Sequence, residues 1–397
     1  MISIDNSVYT NKCRLCDSKL FSRSLLKLEG MPKAAQYYPN RNEFEDDKGI
    51  VLNVFQCSDC GLVQLNTNPV DYFKEVITAA SFSEEAKLSR LSQMKEFVTQ
   101  FGLHGKKALE VGSGKGSMLD ILEEAGVTAV GIEASLKSVE IGKSAGRNMV
   151  NGYIGDIGKV NGCPFDAFVS FNYIEHMPEP GSIIKNISNN TTPNAVGFVT
   201  VPNLDYLLRT KSFYEFVADH LSYFTKETLT YAFERNDFDV LECYTINQDN
   251  DIAAIVTKKK SSGVVVPPKK KEPLNISGHF KEFEKIIKNL QQIADRYKAE
   301  NKKIAVWGAG HRTLALLALS KLNSVAYVVD SAKFKQGKFT PVLHLKIVPP
   351  EHLKKESVDL VIVMVPGLYP DEVLKTIKKM KIEADVAVLR DNQVEFI

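Results

Sequence analysis

The chain has 397 residues, 44% hydrophobic and 25% charged, with a formal net charge of +2. That length allows two or three domains that each bury a core, and the near-neutral balance gives no general argument for a polyanion partner. No uninterrupted apolar run approaches the roughly 20 residues that span a bilayer, and residues 1–7 lack a basic-then-apolar leader pattern. A soluble, cytoplasmic protein with no membrane or nucleic-acid partner is therefore expected.

Four of the six cysteines fall in two tight pairs, Cys13-Arg-Leu-Cys16 and Cys57-Ser-Asp-Cys60, while Cys163 and Cys243 stand alone. Each pair places two thiols on one turn, and together they can supply the four-sulfur cage that zinc prefers. A closed structural site is expected, the alternative being four reduced cysteines in a small core. The long gap between the pairs implies an insertion. Within it, the apolar and aromatic stretch 31–39 either covers a neighbouring site or packs its own module. Residues 83–101 read as a helix, opened by Ser83 and two acids.

From Lys106 to about Lys258 strand and helix patterns alternate, predicting a parallel α/β sheet. Lys107-Ala-Leu-Glu110-Val runs into Gly112, Gly114 and Gly116, and an amphipathic segment follows from Met118. A buried strand turning into a helix reads this way, with glycines that let a ligand approach the backbone. Alone, the pattern suits a nicotinamide site, a methyl-donor site or an ordinary turn. Its continuation is more specific. The strand 129–133 ends in Glu133, which can accept both hydroxyls of a ribose. Gly155-Asp156-Ile157 offers an acid and an apolar residue to an adenine. The strand from Phe165 stops in Asn172-Tyr173-Ile-Glu175-His176.

This order resembles the class I S-adenosylmethionine-dependent methyltransferases. The resemblance implies that Glu110, Gly112 and Gly114 face the methionine part of the donor. Glu133 would face the ribose, Asp156 and Ile157 the adenine, and Asn172 the sulfonium side. The run Tyr173-x-Glu175-His176, with Val201-Pro202-Asn203 and Asp219-His220-Leu-Ser-Tyr-Phe224, further resembles sugar C-methyltransferases that act on nucleotide-linked keto-deoxysugars, of the dTDP type. The implied fold is α/β: a Rossmann-like methyltransferase domain with an N-terminal zinc-binding module and a C-terminal Rossmann-like domain, here 81–258, 1–80 and 274–397. The implied cofactors are S-adenosylmethionine and structural zinc, the implied partner is the nucleotide-linked sugar, and the oligomeric state is left open, a monomer being plausible.

The same family implicates Tyr173, Glu175 and His176 in catalysis, and the chemistry suits them. Methylation at carbon needs a base to remove the proton beside the ketone and a donor to stabilise the enolate oxygen. His176 is the expected base because imidazole titrates near neutrality; Glu175 either orients it or takes the proton. Tyr173 and His220 are candidate donors to the oxyanion. One departure concerns the tyrosine-rich segment that the family carries after its second cysteine pair. Here that segment holds only Tyr72, and Thr78 or Ser81 are the other available hydroxyls. O- or N-methylation of a related sugar nucleotide, a sugar-nucleotide oxidoreductase and a non-enzymatic zinc-ribbon protein are the competing readings.

Residues 258–273 read as an exposed linker rather than a nucleic-acid tail, since no aromatics are interleaved for base stacking. An amphipathic helix is expected from His279 to Asn301, with Phe280, Phe283, Ile286, Ile287, Leu290 and Ile293 on one stripe. Gly308-Ala-Gly310 then opens a second strand–turn–helix unit, whose second strand ends in Asp330. By motif this is a nicotinamide candidate, although Thr313 replaces the third glycine. The resemblance instead matches Asp330 and Lys335-Gln336-Gly337 to a domain shaping the nucleotide-sugar site, with the amides of 310–312 open to a diphosphate. Buried strands are expected at 358–366 and 385–389, and an aromatic, polar loop at 368–372.

Overall fold

The computed structural model describes residues 11–75, 84–260, 263, 265–270, 272–365, 369–390 and 392–397. Thr78, Ser81, Ser83 and Leu368 lie outside the described residues. The chain forms two compact units that interleave in sequence. The first comprises Met1–Arg23, Phe55–Tyr206 and His220–Pro273; the second comprises Ser24–Val54, Leu207–Asp219 and Leu274–Ile397. Residues 24–54 thus leave the cysteine-bearing segment and fold with the C-terminal part.

The first unit is built on seven strands: β1 Lys107–Val111, β2 Thr128–Glu133, β3 Met149–Asn151, β4 Phe165–Phe171, β5 Thr191–Pro202, β6 Phe238–Ile246 and β7 Asp251–Lys258. Their order is β3-β2-β1-β4-β5-β7-β6, and only β7 runs against the others. The central strands are apolar almost throughout because both sheet faces are covered. Alternation then sorts their side chains. Leu109, Val111, Val130, Ile132 and Phe168 join the core on one face, while Ala108, Ala129, Ala167 and Val169 join the core on the other. On that second face the helix Glu84–Gln100 buries Leu91, Met94, Phe97 and Val98 at helical spacing. Cys13, Leu15, Cys57, Cys60 and Leu62 belong to the first core, so the cysteine module is packed into the sheet's own interior. The neighbours of β1 are reached by connections leading in opposite directions, β2 on one side and β4 on the other. That switch point lies at the carboxyl ends of β1 and β4, where α/β sheets bind ligands.

Residues 265–270 are less free than an exposed linker would be: Lys270 N donates to Ser58 O at 3.0 Å, and Lys270 Nζ lies 2.5 Å from Glu227.

The second unit has its own sheet: β8 Ile304–Trp307, β9 Val325–Val329, β10 Ile347–Val348, β11 Leu360–Val363, β12 Asp385–Arg390 and β13 Gln393–Phe396. Its order is β10-β9-β8-β11-β12-β13, parallel except for β13. The helix Ser277–Ala299 buries Phe283, Ile286, Leu290 and Ile293, as its stripe predicts. Strands Leu26–Met31 and Ile50–Gln56 pair antiparallel, and the second of them leads the chain back to the first unit. Among the described residues, no helix is long and apolar enough to cross a membrane.

Candidate active site

The glycine turn is shaped by backbone geometry first. Gly112, Gly114 and Gly116 all have positive φ (75°, 52° and 79°), and Gly116 starts the helix Ser117–Glu124. Gly112 N and Ser113 N donate to Ile132 O at 3.1 and 3.2 Å, tying the turn to β2. At the end of β2 the buried Glu133 completes the tie: Gly114 N donates to its Oε2 and Ser135 N to its Oε1, both at 2.9 Å. Glu110, also buried, has an Oε2 with no hydrogen-bond partner. Burial, with Glu133 adding to it, pushes the Glu110 carboxyl well above the usual carboxylate range. An unpartnered carboxyl oxygen beside the glycine turn fits the ammonium of a methionine moiety, a cation that would supply the missing partner.

Tyr173 sits on this turn. An added Cβ at Gly112 would fall 2.3 Å from its Cδ2, so ring and glycine backbone are in direct contact. Burial, then the nearby Tyr153, Glu133 and Asp156, raises the Tyr173 phenol well above its ordinary value and keeps it protonated. Ile157 packs on Gly152, where a Cβ would meet its Cδ1 at 2.0 Å. Asp156 is exposed and paired with Lys74 at 2.6 Å, and Lys74 lies 5.0 Å over the Tyr153 ring. Asn172 has φ 47°, a conformation asparagine tolerates better than most residues. Its side chain is engaged within the sheet: Oδ1 accepts from Thr200 Oγ1 at 2.8 Å, and Nδ2 donates to Asp251 Oδ1 at 3.3 Å.

Glu175, His176 and His220 form a second cluster, with ligating atoms all within 4.8 Å of one another. His176 Nε2 lies 3.9 Å from Glu175 Oε1, and the two imidazoles meet edge to face with centroids 4.7 Å apart. Glu175 is 1% exposed, and neither of its oxygens has a hydrogen-bond partner. Burial, reinforced by Asp251, raises its carboxyl well above the ordinary carboxylate range. The strand end delivers Glu175 and His176 on a single 3-10 turn, Ile174–His176. His220 arrives from a distant segment, fixed by Leu221 N donating to Glu175 O at 2.8 Å. Sequence reasoning named the site residues but missed Lys74 on Asp156 and Asp251 on Asn172, because ion pairs and hydrogen bonds across tens of residues leave no local pattern.

The four cysteine sulfurs converge as expected. Cys13 Sγ and Cys60 Sγ are 3.5 Å apart, as are Cys16 Sγ and Cys57 Sγ, and all four lie within 4.8 Å. A tetrahedral zinc thiolate with bonds of about 2.3 Å has edges of about 3.8 Å, so the set fits that ion. Leu15 N and Asp59 N each point at a sulfur, Cys13 and Cys57 respectively, at 3.4 Å. Such N–H donors stabilise the thiolate form that a metal requires.

The second unit repeats the turn geometry with different occupants. Gly308 N donates to Val329 O at 2.7 Å, while Asp330 accepts from Ala309 N at 2.7 Å and Ala332 N at 2.8 Å. Here, however, Lys335 Nζ sits 3.1 Å from Asp330 Oδ2, and Tyr38 donates its hydroxyl to Ala309 O at 3.0 Å. At the start of the following helix, Glu215 holds His311 at 2.7 Å and Arg312 at 3.0 Å.

A seven-stranded sheet of this order, with an acid-tied glycine turn at its switch point, is the fold of the S-adenosylmethionine-dependent methyltransferases. Comparison with known proteins agrees. A family model described as "Methyltransferase domain" matches residues 85–243, and one described as "C-methyltransferase C-terminal domain" matches residues 269–386. The C-methyltransferase NovU of Streptomyces niveus is 23% identical over 332 residues, 77% of this chain and 79% of that protein. A ubiquinone biosynthesis O-methyltransferase of Actinobacillus pleuropneumoniae serotype 5b is 29% identical over 112 residues, 26% of this chain and 48% of that protein. A solved S-adenosylmethionine-dependent methyltransferase from Clostridium acetobutylicum superposes with a TM-score of 0.38 at 12% identity, covering 47% of this chain and 96% of that one. The chain thus carries a methyltransferase domain followed by a C-methyltransferase C-terminal domain, and it is a methyltransferase.

Proposed function

We propose that the carbon acceptor is a keto-deoxysugar linked to a nucleotide of the dTDP type, methylated beside its ketone. The observation that carries this reading is the pair of imidazoles around the buried Glu175 carboxyl, in the same unit as the donor turn. S-adenosylmethionine, when bound, supplies the activated methyl group. Glu110 and Gly112 hold its methionine end, Glu133 its ribose, and Ile157 with Asp156 its adenine. Glu175, buried 3.9 Å from His176 Nε2, orients that imidazole. His176 takes the proton beside the ketone, and His220 donates to the enolate oxygen. Tyr173, held against Gly112, orders the donor side, and Asn172 shapes the strand end through Thr200 and Asp251.

The Cys13–Cys16–Cys57–Cys60 set holds structural zinc, all four positions being filled by protein. In the second unit, Lys335 on Asp330 occupies carboxylate capacity that a dinucleotide ribose would need. This supports a role for that turn toward phosphate rather than nicotinamide. The test is turnover of a panel of nucleotide-linked keto-sugars with carbon-13-labelled methyl donor, read by two-dimensional NMR. A product methyl bonded to carbon, lost in His176→Gln, is expected; a methyl on oxygen or nitrogen would overturn C-methylation of the sugar.

A further inference from the structure

The cysteine module does more than pack beneath the sheet: it reaches the segments that carry both histidines. Arg14 lies inside the first knuckle, and its own N–H is fixed by Gln64 Oε1 at 2.9 Å. From that anchor the guanidinium spreads to three backbone carbonyls. Nε donates to Leu65 O at 3.2 Å, Nη1 to Pro178 O at 3.3 Å, and Nη2 to Thr67 O. Pro178 is the second residue after His176, at the entry to the helix Pro180–Asn189. The strand Val63–Leu65 that receives Nε also pairs antiparallel with Ser222–Tyr223, and Leu65 N donates to Leu221 O at 3.1 Å. One short strand therefore carries the His220 segment through backbone pairing, and Arg14 ties the His176 loop to that same strand.

We infer that Arg14 is a positioning residue for the reaction: it sets the spacing of His176 against His220 by locking the carbonyl of Pro178 to the strand Val63–Leu65, which pairs with the Leu221–Tyr223 segment. The residue type follows from the geometry. Three carbonyls approached from different directions need the diverging, planar donors of a guanidinium, and a lysine ammonium offers one compact point. The side chain touches no reacting atom, so its effect must travel through the loop. An error of about 1 Å in such a loop can cost up to ~10²-fold in rate.

The inference rests on Glu175, His176 and His220 being the reacting cluster, and the experiment separates the two ideas. Full-length, metal-loaded Arg14→Gln and Arg14→Lys are compared with wild type in three ways: imidazole ring-proton resonances, S-adenosylhomocysteine affinity, and turnover of the acceptor found by the panel above. In Arg14→Gln, the His176 and His220 resonances should move by more than a linewidth while the other five of the seven histidines stay in place. Affinity for S-adenosylhomocysteine should hold within about twofold, the scatter of a change remote from the ligand. The kcat should fall about tenfold or more, with Arg14→Lys intermediate. Unmoved His176 and His220 resonances overturn the inference, as does movement of all seven together or an affinity that falls in step with kcat. If Arg14→Gln does not fold, Arg14→Lys, which keeps the charge, decides by the same readings. Undiminished turnover in His176→Gln would instead sink the reading of the cluster, whatever the resonances do.

Discussion

Replacing Gly112 by alanine probes the donor turn at its tightest point. Two costs are separable. The first is conformational: φ is 75° there, and a side chain in the left-handed region costs about 1–2 kcal/mol. The second is steric, because the new Cβ would lie 2.3 Å from Tyr173 Cδ2, on a ring that is only 2% exposed. Overpacking a filled interior adds about 1–3 kcal/mol. The sum of roughly 2–5 kcal/mol should lower the melting temperature of the first unit by about 4–20 °C at about 2–4 °C per kcal/mol. The informative measurement is a double-mutant cycle by thermal denaturation. With Tyr173→Ala already in place, the steric part vanishes and the alanine penalty should shrink to about 1–2 kcal/mol. An equal penalty in both backgrounds would refute the packing of Tyr173 on the turn, and with it the role given to that ring.

Burial raises the carboxyls of Glu110 and Glu175 well above the ordinary carboxylate range. A folded pKa raised above the unfolded value gives stability that is complete below the unfolded pKa, about 4.3, and is lost as pH rises toward the folded one. The ligand-free wild type should therefore lose melting temperature on going from acid toward neutral pH more steeply than Glu110→Gln or Glu175→Gln, and parallel curves would contradict the burial argument. Glu215 behaves in the opposite sense. Burial opposes its ionisation, yet His311 and Arg312 more than offset that and hold its carboxyl at about 2. Its contribution is complete above the unfolded pKa of about 4.3 and is lost as pH falls toward 2. Stability measured down to acid pH should thus drop faster in wild type than in Glu215→Gln. Cys60→Ser should reduce bound zinc from about one ion per chain to a weakly held fraction; native mass spectrometry with full zinc retention would contradict a four-sulfur site.

Much of this protein is written locally. Apolar runs bounded by glycine and acids fixed β1, β2 and β4 in advance, because a strand buried on both faces must be continuous in hydrophobicity. The stripe from Phe283 to Ile293 determined its helix for the equivalent reason of period. The paired cysteines also carried their meaning in spacing alone: a two-residue gap puts both sulfurs on one turn.

What the sequence could not decide was everything that depends on which distant segments meet. Nothing local indicates that residues 24–54 and 207–219 fold with the C-terminal part. Nor does it indicate that Asn172 spends its side chain on Thr200 and Asp251, or that Lys335 covers Asp330. Desolvation belongs to the same category. Glu175 reads as an ordinary charged residue beside a histidine, and only the surrounding walls, which bury it to 1% exposure without a partner, raise its carboxyl above the ordinary range. The sequence determined the elements and the residue types at their ends. The tertiary structure decided which of those ends share a site and what charge they carry there, since contact and solvent exclusion are properties of the packed chain.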